Sequence, residues 1–335
     1  MSIPAKALKE IPQFVPRAIF PEHKMSLAKF QGHHRKALQS LRQLAFRIDL
    51  VLELRDSRAP LSSINPLFDQ VLPGKRKLVL YTKSDLSKLK YSTIEGWDRS
   101  QDFMRIECGL ATDARRILSY MKDKFKSSGP LPPLGYNVLV TGMPNSGKST
   151  LINTLRKTGM PQGKFLRNAA RTGNLPGVTR NLSEIIRISQ SPDIFLYDTP
   201  GVFVPQVEDS RMMMNLALIN AVQAEDVDPV LLADYLLYHV NLTYPNGGKY
   251  PGHPSNNVHS VLRAIARHKG RTDKYTEEMI ANEWITRYRN GKLARLCLDD
   301  TSVETYDRLR ERAANMVVDL GPMTASTNLR KRLSM

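Results

Sequence analysis

The residues Gly142-Met143-Pro144-Asn145-Ser146-Gly147-Lys148-Ser149 follow an apolar run, Val138-Leu139-Val140-Thr141, and precede Leu151, Ile152 and Leu155 at helical spacing. A glycine-rich turn between a strand and a helix N-terminus lets main-chain N–H groups converge on phosphate oxygens. In this GxxxxGK[ST] pattern Lys148 supplies a point charge to the β- and γ-phosphates and Ser149 offers a hydroxyl to Mg2+. Asn145, Ser146, Gly147 and Thr150 complete the nucleotide-facing stretch. Downstream, Asp198-Thr199-Pro200-Gly201 closes another apolar run. An Asp at a strand end holds Mg2+ through its water shell, and the Gly201 N–H is placed to sense a γ-phosphate. Between them, Pro176-Gly177-Val178-Thr179-Arg180 presents Thr179 as a second Mg2+ ligand; the alternative is a plain Pro-Gly turn. The surrounding loop carries Lys164, Arg167, Arg171 and Arg180, which suits phosphates of nucleotide or RNA.

A guanine site needs a carboxylate that accepts two base N–H groups and a lysine lying along the base plane. Thr82-Lys83-Ser84-Asp85, after the apolar Leu78-Val79-Leu80-Tyr81, has the [NT]KxD form. Asp85 is the expected specificity residue, with Thr82 in place of the commoner Asn. The competing reading is a helix cap, for which Asp is well suited. This motif stands before the phosphate loop, and none like it follows Gly201. Glu107-Cys108-Gly109 matches only loosely the short loop expected over guanine O6.

The elements that must position these residues are six apolar runs read as strands: Ile48–Leu54, Leu78–Tyr81, Met104–Cys108, Asn137–Thr141, Glu184–Ile188 and Ile194–Tyr197. They alternate with helical stretches, the pattern of a mostly parallel α/β sheet. If this is a GTPase sheet, the three strands before the phosphate loop are its usual last three. After about Ala221 helical patterns take over. Pro229 opens one helix at a first-turn position; Ser255 or Asn256 caps another that stops at Gly270. Tyr244-Pro245-Asn246-Gly247-Gly248 reads as a loop. The expected division is an N-terminal arm at 1–24, a GTPase domain at 25–220 and a basic helical domain at 221–335.

The order of base motif, phosphate loop, switch segment and DTPG resembles that of the circularly permuted GTPases. The resemblance implies a circularly permuted, Ras-like, doubly wound six-stranded sheet followed by a smaller all-helical C-terminal domain. Phe30-Gln31-Gly32-His33-His34-Arg35-Lys36-Ala37 resembles the FPGHMxKA opening of the bacterial large-subunit assembly GTPases, with Gln31 and His34 departing from it. Glu53-Leu54-Arg55-Asp56-Ser57-Arg58-Ala59-Pro60 with Asn65-Pro66 resembles their first strand and its loop. Trp284 to Leu293 resembles part of their helical domain. Over about residues 25–300 the chain is most similar to the mitochondrial ribosome-associated GTPase 1 family. That implies GTP hydrolysis with Mg2+, the large ribosomal subunit and its rRNA as partners, a monomer, and a place in the mitochondrial matrix, with contact to the inner membrane as an option. Translation control, a cytoplasmic or bacterial-type ribosome, and an RNA-binding scaffold of low turnover are alternatives.

The residue after Gly201 is Val202, where Ras-type enzymes carry a water-orienting Gln. Two substitutes are open. Asn145 sits where related GTPases ligate a potassium ion, which would supply charge at the β/γ-phosphates. His33, from the opening motif, could orient water as neutral imidazole; its other reading is a surface histidine on an arm.

The bulk composition agrees. The chain has 335 residues and a net charge of +17, from 49 Lys plus Arg against 32 Asp plus Glu, which favours a polyanionic partner. The other reading is a basic organellar interior. Arg263, Arg267 and Arg271 fall at i, i+4 and i+8 and share a stripe if the helix continues, although Gly270 can end it before Arg271; the other reading of such a cluster is a solvated helix face. Arg287, Arg289, Lys292 and Arg295 interleave with Trp284 and Tyr288, a mixture that suits RNA phosphates and stacked bases. Arg330-Lys331-Arg332 suits RNA or anionic lipid. Two distant cysteines, Cys108 and Cys297, point away from a disulfide framework or zinc site. No apolar stretch of about 18 residues predicts a membrane span. Residues 1–24 are mildly basic, read equally as a targeting segment or a disordered arm. A metabolic kinase is disfavoured by Asp85 and by the lack of an acceptor-binding base; a dead nucleotide site is disfavoured by Lys148, Ser149 and Asp198.

Overall fold

The computed structural model describes residues 14–23, 38–39, 41–129, 135–160, 185–199, 209–222, 227–270 and 276–315. Six strands form one sheet: β1 (Leu50–Asp56), β2 (Arg76–Thr82), β3 (Phe103–Arg105), β4 (Tyr136–Gly142), β5 (Ile185–Gln190) and β6 (Asp193–Asp198). Their spatial order is β3-β2-β1-β4-β6-β5. All neighbouring pairs are parallel except β5 with β6. β1 lies between β2 and β4 and is buried along its whole length, which is why Leu50, Val51, Leu52 and Leu54 are apolar on both faces; its charged residues Glu53, Arg55 and Asp56 are buried in ion pairs. Every expected strand is present. β3 is shorter than its apolar run, because the chain leaves the sheet after Arg105 to form the loop carrying Glu107-Cys108-Gly109.

The two faces of the sheet are covered by different helices. Leu52, Leu54, Leu80, Val138 and Val140 on one face meet Ile117 and Met121 of α3 (Ala111–Lys126) and Leu151, Ile152 and Leu155 of α4 (Lys148–Gly159). Losing one such side chain, as in Leu151→Ala, costs about 2–5 kcal/mol. On the other face, Val51 and Leu139 meet Phe68 and Val71 of α1 (Leu67–Val71), and Val79 and Tyr81 meet Ile94 and Trp97 of α2 (Tyr91–Trp97). Within that face Glu53 is buried and ion-paired to Arg55 at 2.6 Å and Lys77 at 3.0 Å. Burial pushes the Glu53 carboxyl up, but the two cations outweigh it and bring it down to about 2.

The chain forms two compact units, divided at other places than the sequence suggests. Among the described residues, the sheet unit runs through Val222 and takes back residues 295–315. The Leu298 N–H donates to the Arg58 carbonyl at 2.7 Å, and Asp299 accepts from the N–H groups of Leu61 (2.7 Å) and Ser62 (2.9 Å), from the Ser62 hydroxyl, and from the Asn215 amide at 2.9 Å. Asn215 lies on α5 (Ser210–Leu218), the helix after the switch segment. Trp97 Nε1 donates to the Thr301 carbonyl, and Tyr306 of α9 (Val303–Asn315) stacks on Trp97 at 5.6 Å. These polar contacts join residues far apart in sequence and leave no periodic signal.

The second unit contains α6 (Pro229–Thr243), α7 (Val258–His268) and α8 (Glu277–Arg289), with the described residues 14–22 packed on it. Arg17 pairs with Asp234 through two bonds of 2.9 and 2.6 Å, and Phe20 is buried against Tyr235 at 4.9 Å. This part of the N-terminal arm is therefore integral to the helical unit. Pro229 is at the start of α6, after the cap Asp228. The cap of α7 is Asn257, whose side chain accepts from the Ser260 N–H; Ser255 and Asn256 serve other bonds.

Candidate functional site

β2 and β4 deliver the two expected loops at their C-terminal ends. Gly142 pairs with Leu54, and a Cβ there would lie 2.5 Å from the Leu54 carbonyl oxygen, so the strand-to-loop exit requires glycine. Asn145 (φ 57°) and Gly147 (φ 99°) take left-handed backbone, which curls the chain before α4 begins at Lys148. At Gly147 a Cβ would meet Cys108 Sγ at 2.7 Å. The loosely matched Glu107-Cys108-Gly109 segment thus lies beneath the phosphate loop.

Lys148 is buried and its Nζ donates to the carbonyls of Gly142 (3.1 Å) and Met143 (2.7 Å). Burial pushes its ammonium down to about 8, opposed by Asp198 and assisted by Lys83. Ser146 Oγ is buried without a hydrogen-bond partner among the described residues, as suits a group that serves a phosphate. Ser149 and Thr150 lie in the first turn of α4. Asp198 closes β6 in register with Val140 of the phosphate-loop strand. A hydroxyl in the first turn of the helix that follows β4 and a carboxylate at the end of the neighbouring β6 are an oxygen-only donor set of the kind Mg2+ takes, so Ser149 and Asp198 fit that ion. Thr199 is buried and anchors the strand end by donating to the Val140 carbonyl at 2.8 Å.

The base motif is brought to the same loop. Lys83 (φ 52°) extends its Nζ to the Asn145 carbonyl at 2.7 Å and to Asp56 Oδ2 at 2.9 Å. Thr82 is buried and its hydroxyl donates to the Arg55 carbonyl at 3.3 Å. Asp85 sits in a short 3-10 turn, Ser84–Leu86, partly exposed. The loop after β3 lies alongside: the Ser84 N–H donates to the Ile106 carbonyl at 3.3 Å, and the Glu107 carboxyl is raised by desolvation and by Asp85 and Asp113. Thr82, Lys83, Asp85, Asn145 and Ser146 to Thr150 are thus gathered around one face of the sheet unit, with Asp198 at the adjoining strand end. His33, Thr179, Gly201 and Arg271 lie outside the described residues.

Sequence reasoning missed three participants. Asp56 closes β1 and Arg58 lies in the turn just after it; the sequence reads them only as strand and loop, although the Asp-x-Arg spacing over an exiting strand is a usable signal. Asn220 (φ 60°), just after α5, offers its carbonyl to the Asn145 amide at 2.7 Å; nothing in its local sequence marks it. One expectation is corrected. Trp284 and Tyr288 are buried, 2% and 1% exposed, so they are unavailable to stack on bases. With Ile280, Ala281 and Ile285 they form the i, i+4, i+8 core face of α8. Arg287 and Lys292 remain exposed, as do Arg263 and Arg267 on α7.

Known proteins match this arrangement. Residues 137–282 fit the family model described as 50S ribosome-binding GTPase. The chain is 38% identical over 314 residues to mitochondrial GTPase 1 of Saccharomyces cerevisiae, covering 86% of this chain and 84% of that one. It is 30% identical to mitochondrial ribosome-associated GTPase 1 of Ictalurus punctatus, covering 81% and 91%. Among solved structures, the GDP-bound structure of TM YlqF superposes with a TM-score of 0.52 at 18% identity, over 78% of this chain and 98% of that one, which shows the shared fold. The strand order, with the base motif preceding the phosphate loop, is the permuted form of the GTPase sheet. The chain is a GTP hydrolase and belongs to the mitochondrial GTPase 1 family.

Proposed function

We propose that this GTP hydrolase acts in assembly of the mitochondrial large ribosomal subunit, binding rRNA-containing particles in its GTP state and leaving them after hydrolysis. What carries the reading is the bridge from Lys83 to the Asn145 carbonyl, which joins a guanine-type loop to a phosphate loop in one unit. The relatives' names, mitochondrial and ribosome-associated, supply the setting. The net charge of +17 supports a phosphate-rich partner.

In this reading Asp85 accepts from guanine, and the main chain of residues 145–150 cradles the phosphates. Lys148 neutralises the β/γ charge. Ser149 and Asp198 would hold Mg2+, which when bound would supply electrostatic stabilisation of the transferring phosphoryl group. Thr179 and Gly201 complete the switch contacts. Asn145 would ligate an activating potassium ion if one is bound, with His33 as the other candidate for assisting water.

A mitochondrial matrix location fits the family. Phe20 and Arg17 hold residues 14–22 in the fold, so a removable targeting segment would end before Val15. Among the described residues no helix is long and apolar enough to cross a membrane; any inner-membrane contact in this proposal is peripheral.

The test is gradient sedimentation of mitochondrial lysate. Co-migration with large-subunit particles is expected with a non-hydrolysable GTP analogue and is weaker with GDP. A protein that stays at the top of the gradient in both states, at low salt, removes the ribosome from this account.

A further inference from the structure

We propose that Asp56 and Arg58 are positioning residues of the nucleotide site, acting through Lys83. This rests on the reading of residues 82–85 as the guanine loop.

Asp56 and Arg58 are both buried, at 2% and 1% exposure. Arg58 donates to the Asp56 carboxylate from Nε at 2.9 Å and Nη2 at 2.8 Å, and its main-chain N–H donates at 3.0 Å. A two-pronged guanidinium fixes the plane of the carboxylate, which a single bond would leave free to rotate. One oxygen of that fixed carboxylate receives Lys83 Nζ at 2.9 Å, and the same ammonium reaches the Asn145 carbonyl at 2.7 Å. Lys83 therefore spans two loops with its position dictated from beneath.

The main chain reinforces the arrangement. The Ser57 N–H donates to the Thr82 carbonyl at 2.9 Å, and the Ser87 hydroxyl donates to the Ser57 carbonyl at 2.6 Å. The Arg58 carbonyl is held by Leu298, so the turn after β1 is clamped from both sides. Charge supplies the reason for an acid here. Burial disfavours the Lys83 ammonium and Arg58 adds to that, while Asp56 opposes both. Burial likewise raises the Asp56 carboxyl, but Arg58 and Lys83 outweigh it and hold it well below the usual carboxylate range. Arg58 keeps Asp56 ionised and oriented, and Asp56 keeps Lys83 charged and aimed at the phosphate loop.

Lys83 Nζ meets Asp56 and the Asn145 carbonyl, and in the guanine-loop reading its side chain serves the base rather than the γ-phosphate. Its misplacement should weaken GTP and GDP alike, raising KM and leaving kcat nearly unchanged. A general loss of structure would not divide that way.

The experiment is a double-mutant cycle on the full chain, read by fluorescent-GDP affinity and by KM and kcat for GTP, with thermal unfolding as a fold check. Asp56→Asn and Lys83→Met are each expected to weaken GDP about ten- to a hundredfold. The double variant is expected to be no weaker than Lys83→Met alone. Losses that multiply in the double variant, or a fall in kcat at constant KM, overturn the proposal while leaving the guanine loop in place. If Lys83→Met does not change GDP affinity, the guanine-loop reading itself is wrong. Should Asp56→Asn fail to fold, Arg58→Lys, which keeps the charge and loses the two-pronged geometry, takes its place in the same cycle.

Discussion

The side-chain amide of Asn145 donates to the main-chain carbonyl of Asn220 across 2.7 Å, tying the phosphate loop to the end of α5, the helix that follows the switch segment. With the amide nitrogen committed there, Oδ1 is the atom left to ligate a cation. Turnover is expected to be about tenfold or more faster in KCl than in NaCl at equal ionic strength. Asn145→Ala should erase the difference. Asn145→Asp should not restore it, because a carboxylate oxygen would face the Asn220 carbonyl. Equal rates in the two salts would leave His33 as the better candidate.

Asp85 is partly exposed in the turn that follows Lys83, beside the loop of Glu107. Asp85→Asn replaces an acceptor pair with a donor and an acceptor. GTP affinity should fall about ten- to a hundredfold, and xanthosine triphosphate, which offers an oxygen in place of the guanine amino group, should gain. Nucleotide competition on the purified variant measures both; unchanged GTP affinity would remove Asp85 from the base site.

Much of this site was legible because its chemistry is written in residue type and spacing. A phosphate loop needs glycine at Gly142 and Gly147 and a cation at Lys148, and no unrelated core demands that set. The central strands β1 and β4 were legible because burial on both faces makes them largely apolar, and the edge strand β5 because its Ile186 and Ile188 alternate with exposed positions. Asp56 and Arg58 were not, since two charged residues at and just after a strand end look solvent-facing until Lys83 is seen to bond Asp56 and Leu298 the Arg58 carbonyl. The return of residues 295–302 to the sheet unit was also hidden. Asp299 bonds Ser62 and Asn215, contacts made by irregular chain with no period to read. For Trp284 and Tyr288 the signal was present but misweighed: spacing by four on a helix marks a core face more reliably than neighbouring arginines mark a surface.

Lys148 sets a pH dependence. Its ammonium lies near pKa 8 in the folded protein, below its ordinary value, with burial the main cause and Asp198 and Lys83 acting in opposite directions. Phosphate binding requires the charged form. Affinity for GDP should therefore be steady below about pH 7.5 and fall by up to about tenfold per unit above pH 8, with proton uptake on binding in that range. Lys148→Ala should bind weakly at every pH and lose this limb of the profile. A wild-type profile flat from pH 7 to 9.5 contradicts the assignment.

Gly147 meets two separate constraints, a φ of 99° and the Cys108 sulfur beneath it. Gly147→Ala should destabilise the loop by about 1–3 kcal/mol and reduce nucleotide affinity accordingly. Adding Cys108→Ala removes the atom a Cβ would strike but not the backbone strain, so the double variant should recover part of the loss. Full recovery would mean that backbone strain is negligible there; no recovery would mean that Cys108 does not approach the loop. Thermal unfolding with and without GDP distinguishes these results.

The partner reading depends on exposed charge, and the burial of Trp284 and Tyr288 narrows it to phosphate contacts. Arg263 and Arg267 lie one turn apart on the exposed side of α7, and Arg287 and Lys292 are exposed at and beyond the end of α8. All four belong to the helical unit, whereas Arg295 belongs to the sheet unit and acts on Glu107. Reversing Arg263, Arg267, Arg287 and Lys292 to Glu should therefore reduce particle binding without changing GDP affinity. Each lost phosphate contact lowers the slope of log affinity against log salt by about 0.7–0.9, so the variant should also be less salt-sensitive. Reversal of Arg295 alone is a contrasting control, expected to disturb the loop of Glu107 and hence nucleotide binding. Sedimentation with large-subunit particles over a salt series, beside fluorescent-GDP titration, reads both quantities. If the fourfold reversal leaves binding and salt slope as in the wild type, the helical unit is not the rRNA-facing surface, and the basic residues of the sheet unit become the place to look.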